Sequence, residues 1–306
     1  MPGHEAVTKS HRIHTVDVFA EKSLAGNQLA VVLDAADIPS EAMQRIAKEM
    51  NIAETTFVLP PSDPANAARI RIFTPVSELP FAGHPTVGTA WVLATEGLVP
   101  RGSLEFVLEE GVGPVKVRGV KGPGGLTFWM THPPLTFGAV ERRREQAAES
   151  IGLSEDDLVA EVPVQVASTG NPFLFFALRD DLAVDQAVAD LELLGDVLEG
   201  TRAFGAFVFA AVGGNRLYSR MFSLDIPEDP ATGSGSGPLG AFAVRYGLVP
   251  RAPRVTLVSE QGTKMGRQSF LHIELTYHGA DENPSLIEVG GAVRPVITGT
   301  LLDFDQ

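Results

Sequence analysis

FAGHPTVGTAWVLATEGLVP (residues 81–100) and ATGSGSGPLGAFAVRYGLVP (residues 231–250) are two versions of one pattern, set 150 residues apart. Gly83 aligns with Gly233, and both segments end in GLVP. Upstream, Arg71-Ile72-Phe73 matches Arg220-Met221-Phe222 at an offset of 149. Each copy reads as a strand, a Pro-containing loop, a helix start made of small residues, an apolar helix, and a stop at Gly97 or Gly247. Glycine suits the position just past a helix, and a following proline ends the helix cleanly. Agreement in the helix, its stop and the preceding strand favours duplication over chance. Two similar domains are therefore expected, meeting at two helix N-termini, each introduced by a small-residue loop.

The segments around the repeat are rich in strands. HTVDVFAEKSLAGNQLAVVLD reads as two strands joined by a turn at Ala25-Gly26-Asn27. SEAMQRIAKEMN reads as a helix with Ser40 as N-cap and Ala42, Ile46 and Met50 on one face. ETTFVL, ARIRIF, LEFVLE, VKVRGV and LTFWMT follow as strands in the first half. VPVQVAST, PFLFFALR, AFVFAAV, RLYSRMFS, RVTLVSEQG, FLHIELTYH and LIEVGGAVRPVITGTLL follow in the second. Residues 183–199 read as one helix with Val184, Val188, Leu191, Leu194 and Leu198 apolar. Helices do not alternate strictly with strands, which argues for α+β over a doubly wound α/β fold.

Composition narrows the function. With 306 residues the chain exceeds the size of one ordinary core, which again favours two domains. Lys and Arg number 24 against 38 Asp and Glu, a formal charge of −14, so no basic excess is available to neutralise nucleic-acid phosphates. The one basic cluster, Arg142-Arg143-Arg144, is followed by Glu145 and Glu149 and reads as a solvated helix face. There is no cysteine, which excludes disulfides, thiolate nucleophiles and cysteine metal sites and fits a reducing compartment. The opening MPGHEAVTKSHRIH carries no apolar core of a signal peptide, and the longest apolar run, Ala203 to Val212, is too short to span a bilayer. The expectation is a cytoplasmic protein that acts on a small molecule, with neither nucleic acid nor membrane as partner.

The repeated helix starts are the chemical clue. A helix N-terminus exposes unpaired N–H groups and a partial positive charge, and small residues let a ligand come close to it. ATGSGSG and FAGHP are thus candidate seats for a carboxylate or a developing oxyanion. Thr232 and Ser234 add hydroxyls, and Asp229 and His84 beside the seats could move protons. Capping alone would also explain Thr232 or Ser234, and a lone His before Pro is often a packed loop residue. Gly235, Gly237 and Gly240 match the spacing of a dinucleotide fingerprint, with Glu260 twenty residues on. That fingerprint must follow a strand directly, whereas LDIPEDPAT intervenes, and Pro238 inside it reads better as a first helical residue. No G-x-S-x-G, H-E-x-x-H or P-loop occurs, and the seven His show no metal-ligand spacing. Acid–base chemistry without a metal remains.

MNIAETTFVL, RIRIFTPVSELPFAGHPTVGTA, EDPATGSGSGPLGAF and SEQGTKMGR, in this order, resemble the phenazine-biosynthesis PhzF family of isomerases. The resemblance runs from VDVFAEKSLAGNQLAVV to GGAVRPVITGTLL, with a departure at Gln28, where many relatives have Pro. It implies the diaminopimelate-epimerase-like fold: two pseudo-symmetric domains, each a mixed, mostly antiparallel sheet curled around a central helix, with the active site between them. The domains would be 1–134, completed by a C-terminal strand over 291–306, and 135–290. The resemblance makes Glu54 the carboxylate that stands where the epimerase uses cysteine. His84 and Asp229 match the assisting residues, and Gly233 and Ser234 the substrate-anchoring helix start; Gly83 and Thr232, from the repeated helix starts, join them as candidate substrate-binding residues. It also implies a homodimer.

Moving a proton within one substrate needs a base that can also act as an acid, and a carboxylate partly withdrawn from water between domains can do both. The expected activity is cofactor-independent isomerisation of a small carboxylated metabolite with Glu54 as base and acid; a dihydro-hydroxyanthranilate is one candidate substrate. An epimerase or racemase of a carboxylated metabolite would use the same chemistry. A non-catalytic small-molecule-binding relative would keep the cleft without turnover.

Overall fold

The apolar runs inside the two repeated segments become the two central helices. The computed structural model describes residues 10–99, 103–224, 226 and 228–302. Pro100 of the first GLVP, the first nine residues and the last four of the expected closing strand lie outside the described residues. In the first half the order is β1 (His11–Val18), β2 (Asn27–Val32), α1 (Ser40–Met50), β3 (Glu54–Leu59), β4 (Ala68–Phe73) and β5 (Glu78–Leu79). α2 (Gly83–Thr95), β6 (Glu105–Glu110), β7 (Gly113–Gly122) and β8 (Gly125–Thr131) complete it. The second half begins with β9 (Thr136–Glu141), α3 (Arg144–Glu149), β10 (Val164–Ser168) and β11 (Pro172–Ala177). It continues with α4 (Asp181–Gln186), α5 (Leu191–Thr201), β12 (Gly205–Gly213), β13 (Arg216–Ser223) and α6 (Gly233–Arg245). β14 (Arg254–Gln261), β15 (Ser269–Thr276) and β16 (Leu286–Leu301) close it. No helix among the described residues is long and apolar enough to cross a membrane.

The pairing is mostly antiparallel, and its parallel exceptions fall at equivalent places. β2 pairs β3 and β4 pairs β6 in the first half; β11 pairs β12 and β13 pairs β14 in the second. Parallel neighbours need a crossover. α2 and α6 are the crossovers of β4–β6 and β13–β14. β16 joins the halves: Leu286–Gly290 pairs with β15, Glu288–Ala292 with β8, and Val293–Leu301 with β1, closing the first half into a ring. β16 thus runs from the second half back to the first.

Helices that are apolar all round belong inside a core. Every residue of α6 from Gly233 to Val244 is buried, and α2 is buried through most of its length. The duplication extends to individual contacts. α2 and α6 start and stop at the same offset of 150, and Gly97 and Gly247 follow them at φ of 70° and 71°. Arg71 holds Glu78 through two nitrogens at 2.7 and 2.6 Å and lies over Phe73; Arg220 holds Glu228 at 2.8 Å through both and lies over Phe222.

Several local expectations are corrected. Pro39, in extended backbone, is the N-cap of α1, and Ser40 is its first residue, its hydroxyl accepting from Arg71. The expected helix over 183–199 is two, because Asp180 and Asp190 each cap a separate start; Val188 falls in the break and is exposed. Arg143 and Arg144 are not simply solvated: they bind Glu141, Glu155 and the carbonyl of Val162. Pro238 lies well inside α6, and Ser234 O, which its missing N–H would have served, meets the Thr169 hydroxyl at 3.5 Å. Gly235, Gly237 and Gly240 are likewise helical, facing Phe207, His132 and Ile273, so the fingerprint spacing is a packing device and forms no nucleotide loop.

The starts of α2 and α6 meet head to head. A Cβ at Gly83 would fall 2.5 Å from Ser234 N and 2.6 Å from Gly233 C; one at Gly233 would fall 3.1 Å from Gly83 C. Gly83→Ala should therefore push backbone against backbone and lower unfolding stability by about 1–3 kcal/mol, with Gly233→Ala milder, as read by urea denaturation. Wild-type stability in Gly83→Ala would show that the two starts are not in contact in solution.

Candidate active site

The site forms where these helix starts meet the ends of β2 and β3. Leu29 pairs with Glu54 in the parallel register, which brings Asn27 and Glu54 to one end of the sheet. His84 is the second residue of α2, and Asp229 bridges Met221 in the loop before α6. Glu54 Oε2 lies 3.0 Å from His84 Nε2, outside the direction of that N–H, which meets Gln28 O at 3.2 Å. Both groups facing Nε2 are acceptors, so this nitrogen carries the ring hydrogen. His84 and Asp229 are buried, while the Glu54 side chain keeps 14% of its surface exposed.

Asn27 joins the two halves at this point. Its amide donates to Asp229 Oδ1 at 2.7 Å and Ala231 O at 3.1 Å, and lies 3.2 Å from His84 Nδ1. The Thr232 hydroxyl donates to Asp229 Oδ2 at 2.5 Å. Gln261, at the end of β14, donates to Asp229 O at 2.8 Å and to the Thr232 hydroxyl at 2.9 Å, and accepts from Thr232 N. Arg267 clamps the rim, reaching Asp17 at 2.6 Å and the carbonyls of Ala25 and Gly26.

Burial alone would drive His84 toward its neutral form, but the carboxylates of Glu54 and Asp229 overcome it and raise its pKa above 6.5. Asp229 is raised by burial and by the charge of Glu54, against its bonds from Thr232 and Asn27 and the pull of His84. Neither Ala82 nor Thr232, the N-caps of α2 and α6, provides a side-chain cap. Two uncapped first turns thus place their partial positive charges together, a setting for an anion.

The structure brings Glu54, His84 and Asp229 together, and sets Gly83 against Gly233 with Ser234 alongside. Thr232 is different from the expectation: its hydroxyl is committed to Asp229 and is not open to a ligand. Ser234 has no hydroxyl bond to protein among the described residues. Sequence reasoning missed Asn27, Gln261 and Arg267 as site residues. Signals existed, since Gly26-Asn27 recurs as Gly170-Asn171 ahead of the equivalent strand, and Gln261 and Arg267 lie within SEQGTKMGR.

A family profile described as phenazine biosynthesis-like protein, PhzC-PhzF, matches residues 16–299. A Pseudomonas aeruginosa trans-2,3-dihydro-3-hydroxyanthranilate isomerase is 36% identical over 290 residues, covering 92% of this chain and 95% of that one. The solved structure of a Bacillus anthracis phenazine biosynthesis protein of the PhzF family superposes with a TM-score of 0.87 at 27% identity, covering 96% of this chain and 99% of the other. One named a predicted epimerase, from Pseudomonas aeruginosa, does so with a TM-score of 0.80 at 33% identity, covering 95% and 99%.

Two outcomes follow from the geometry. Asn27→Leu leaves Asp229 Oδ1 and Ala231 O without their donor and should cost about 1–3 kcal/mol in urea unfolding; unchanged stability would remove the bridging role. His84 should titrate above 6.5 by NMR of its ring nitrogens, and Glu54→Gln should lower that value. The stability it contributes is complete below 6.5 and is lost as pH rises through the raised value. A His84 that titrates below 6.5 in the wild type would contradict this.

Proposed function

Since this chain belongs to the PhzC-PhzF family of phenazine biosynthesis-like proteins and is an isomerase, we propose that it moves a proton within a small carboxylated metabolite, using Glu54 as both base and acid and no bound cofactor. The observation that carries this reading is the setting of Glu54. It is the partly open acid–base group at a point where two uncapped helix starts converge, with His84 and Asp229 fixed behind it.

The steps are as follows. The substrate carboxylate, or the oxygen that gains charge when a C–H bond breaks, sits against the first-turn N–H groups at Gly83, Gly233 and Ser234. Glu54 takes the proton from carbon and returns it at another atom of the same conjugated system. No atom is gained or lost, and no electron acceptor is needed beyond the substrate's own π-system. His84 stands beside Glu54 with its charged form favoured by the carboxylates of Glu54 and Asp229, and the Asn27 amide donates to Asp229 and fixes it near His84. Thr232 and Gln261 hold Asp229 in place.

A proton shift that uses one base fits this site better than epimerisation by two opposed bases. Strand pairing sets Thr55 opposite Phe73 and Ala206 opposite Phe222, so Gly205 occupies the position in the second half that Glu54 holds in the first. Only one half offers a carboxylate there. The named activity of the Pseudomonas aeruginosa relative makes trans-2,3-dihydro-3-hydroxyanthranilate the first substrate to try.

The test is incubation in D2O with that compound and a panel of other small cyclic and acyclic carboxylates, read by NMR for isomerisation and deuterium uptake. Glu54→Gln should lose about 10²–10⁴-fold in rate, while substrate binding measured by calorimetry persists. Turnover that survives Glu54→Gln would remove the proposed base. Binding to wild type without any isomerisation would favour a non-catalytic role.

A further inference from the structure

Glu110 ends β6 as Gln261 ends β14. Both strands run parallel to the strand that precedes a central helix. Both residues are followed by a glycine packed on a proline: a Cβ at Gly111 would lie 2.7 Å from Pro80 Cα, and one at Gly262 would lie 2.5 Å from Pro230 O. Gln261 holds the start of α6 as a neutral amide that both donates and accepts. The residue in its place at the start of α2 is an acid.

Hydrogen counting at Thr86 decides the state of that acid. In α6 the Ser236 hydroxyl donates to Thr232 O, one turn back, at 2.9 Å. The equivalent Thr86 hydroxyl lies 2.8 Å from Ala82 O and also 2.7 Å from Glu110 Oε1. A hydroxyl has one hydrogen to give. If Thr86 donates to Ala82 O as Ser236 does to Thr232 O, the hydrogen between Thr86 and Glu110 comes from the carboxyl group. Glu110 is buried, and its Oε2 has no partner among the described residues. An ionised carboxylate would leave that oxygen uncompensated.

We propose that Glu110 is a positioning residue, carried in the acid form, that holds the start of α2, and with it His84, as Gln261 holds the start of α6. The surrounding charges fit. An open cleft of about 660 Å³ is lined by Glu110 itself together with Arg69 and Arg71 of β4 and Glu78 of β5. Arg71 is already bound through two nitrogens by Glu78, and Arg69 is exposed to solvent. The first turn of α2 brings no acid, and its His84 faces Glu54 and Asn27. Neighbouring Glu109 turns to Asn66 and to the N–H groups of Ser62 and Asp63, and Lys116 of β7 is exposed. Burial pushes the Glu110 carboxyl from 4.5 up to about 8. Between those values the folded chain keeps a proton that the unfolded chain has released. Stability from this group is therefore complete below 4.5, falls as pH rises and is gone above about 8.

The experiment is a carboxyl ¹³C NMR titration of the full chain, with thermal unfolding of wild type, Glu110→Gln and Glu110→Ala from pH 5 to 9. Glu110 should titrate near 8, with a matching step in the His84 ring ¹⁵N shifts that is absent in Glu110→Gln. Glu110→Gln should unfold at a higher temperature than wild type above pH 8, with the difference shrinking toward pH 5, while Glu110→Ala should be less stable at every pH. Titration of Glu110 near 4.5 would overturn the proposal, as would a Glu110→Gln variant that keeps the wild-type dependence on pH. If Glu110→Gln does not fold, the wild-type titration and the His84 step decide alone.

Discussion

The structure depends on one unfavourable contact, the meeting of two helix N-termini at Gly83 and Gly233. Each carries a partial positive charge, roughly half an elementary charge, and neither has a side-chain cap. Left alone, the ends would repel and their N–H groups would go unpaired. The surroundings offset this. Asp229 is buried at the junction, Glu54 stands beside it, and the glycines bring the backbones within van der Waals reach. What remains unsatisfied is a set of N–H groups suited to an anion. An anion placed there would complete the junction.

Duplication explains the frame, and the places where the two halves differ explain the chemistry. The Arg71–Glu78 and Arg220–Glu228 pairs, the helix lengths and the glycine stops are the same in both halves. At the centre the halves diverge: His84 stands against Ser234, Leu79 against Asp229, Glu54 against Gly205, and Glu110 against Gln261. A symmetric site would offer two equal bases facing each other. Here the first half brings Glu54 and His84, and the second brings Asp229 together with hydroxyl and N–H groups.

Much of this was legible in the sequence because it is local or periodic. The repeated segment marked both central helices and their stops, and alternation marked most strands. Ser40 was misread because Pro39, already extended, serves as the cap. Residues 183–199 looked like one helix because the apolar spacing continues across the break, whereas Asp190 restarts the backbone. β9 escaped notice because it is an edge strand, largely exposed and without clear alternation. His84 and Asp229 were legible from their places beside the repeated helix starts, whereas Glu54 was recognisable only through resemblance to a family. The recurrence of Gly26-Asn27 as Gly170-Asn171 marked the position of Asn27 but not its role, because its partner Asp229 is 202 residues away and only the folded chain brings them together.

Asn27 also bears on how the site works. It crosses from the first half to the second, and it does not do so alone. Arg267 returns from the second half to Asp17 and to the carbonyls of Ala25 and Gly26, and Gly26 N donates to Gln268 O. The Asp17 side chain is only 2% exposed, so this ion pair is poorly screened and loses much if either partner is displaced. The turn carrying Asn27 is thus pinned beside the loop that follows Gln261, and Gln261 in turn fixes Asp229 and Thr232. His84, Asp229 and the two helix starts are held by bonds within the protein, while Glu54 retains access to a ligand. Groups fixed before a ligand arrives need little reorganisation as charge develops.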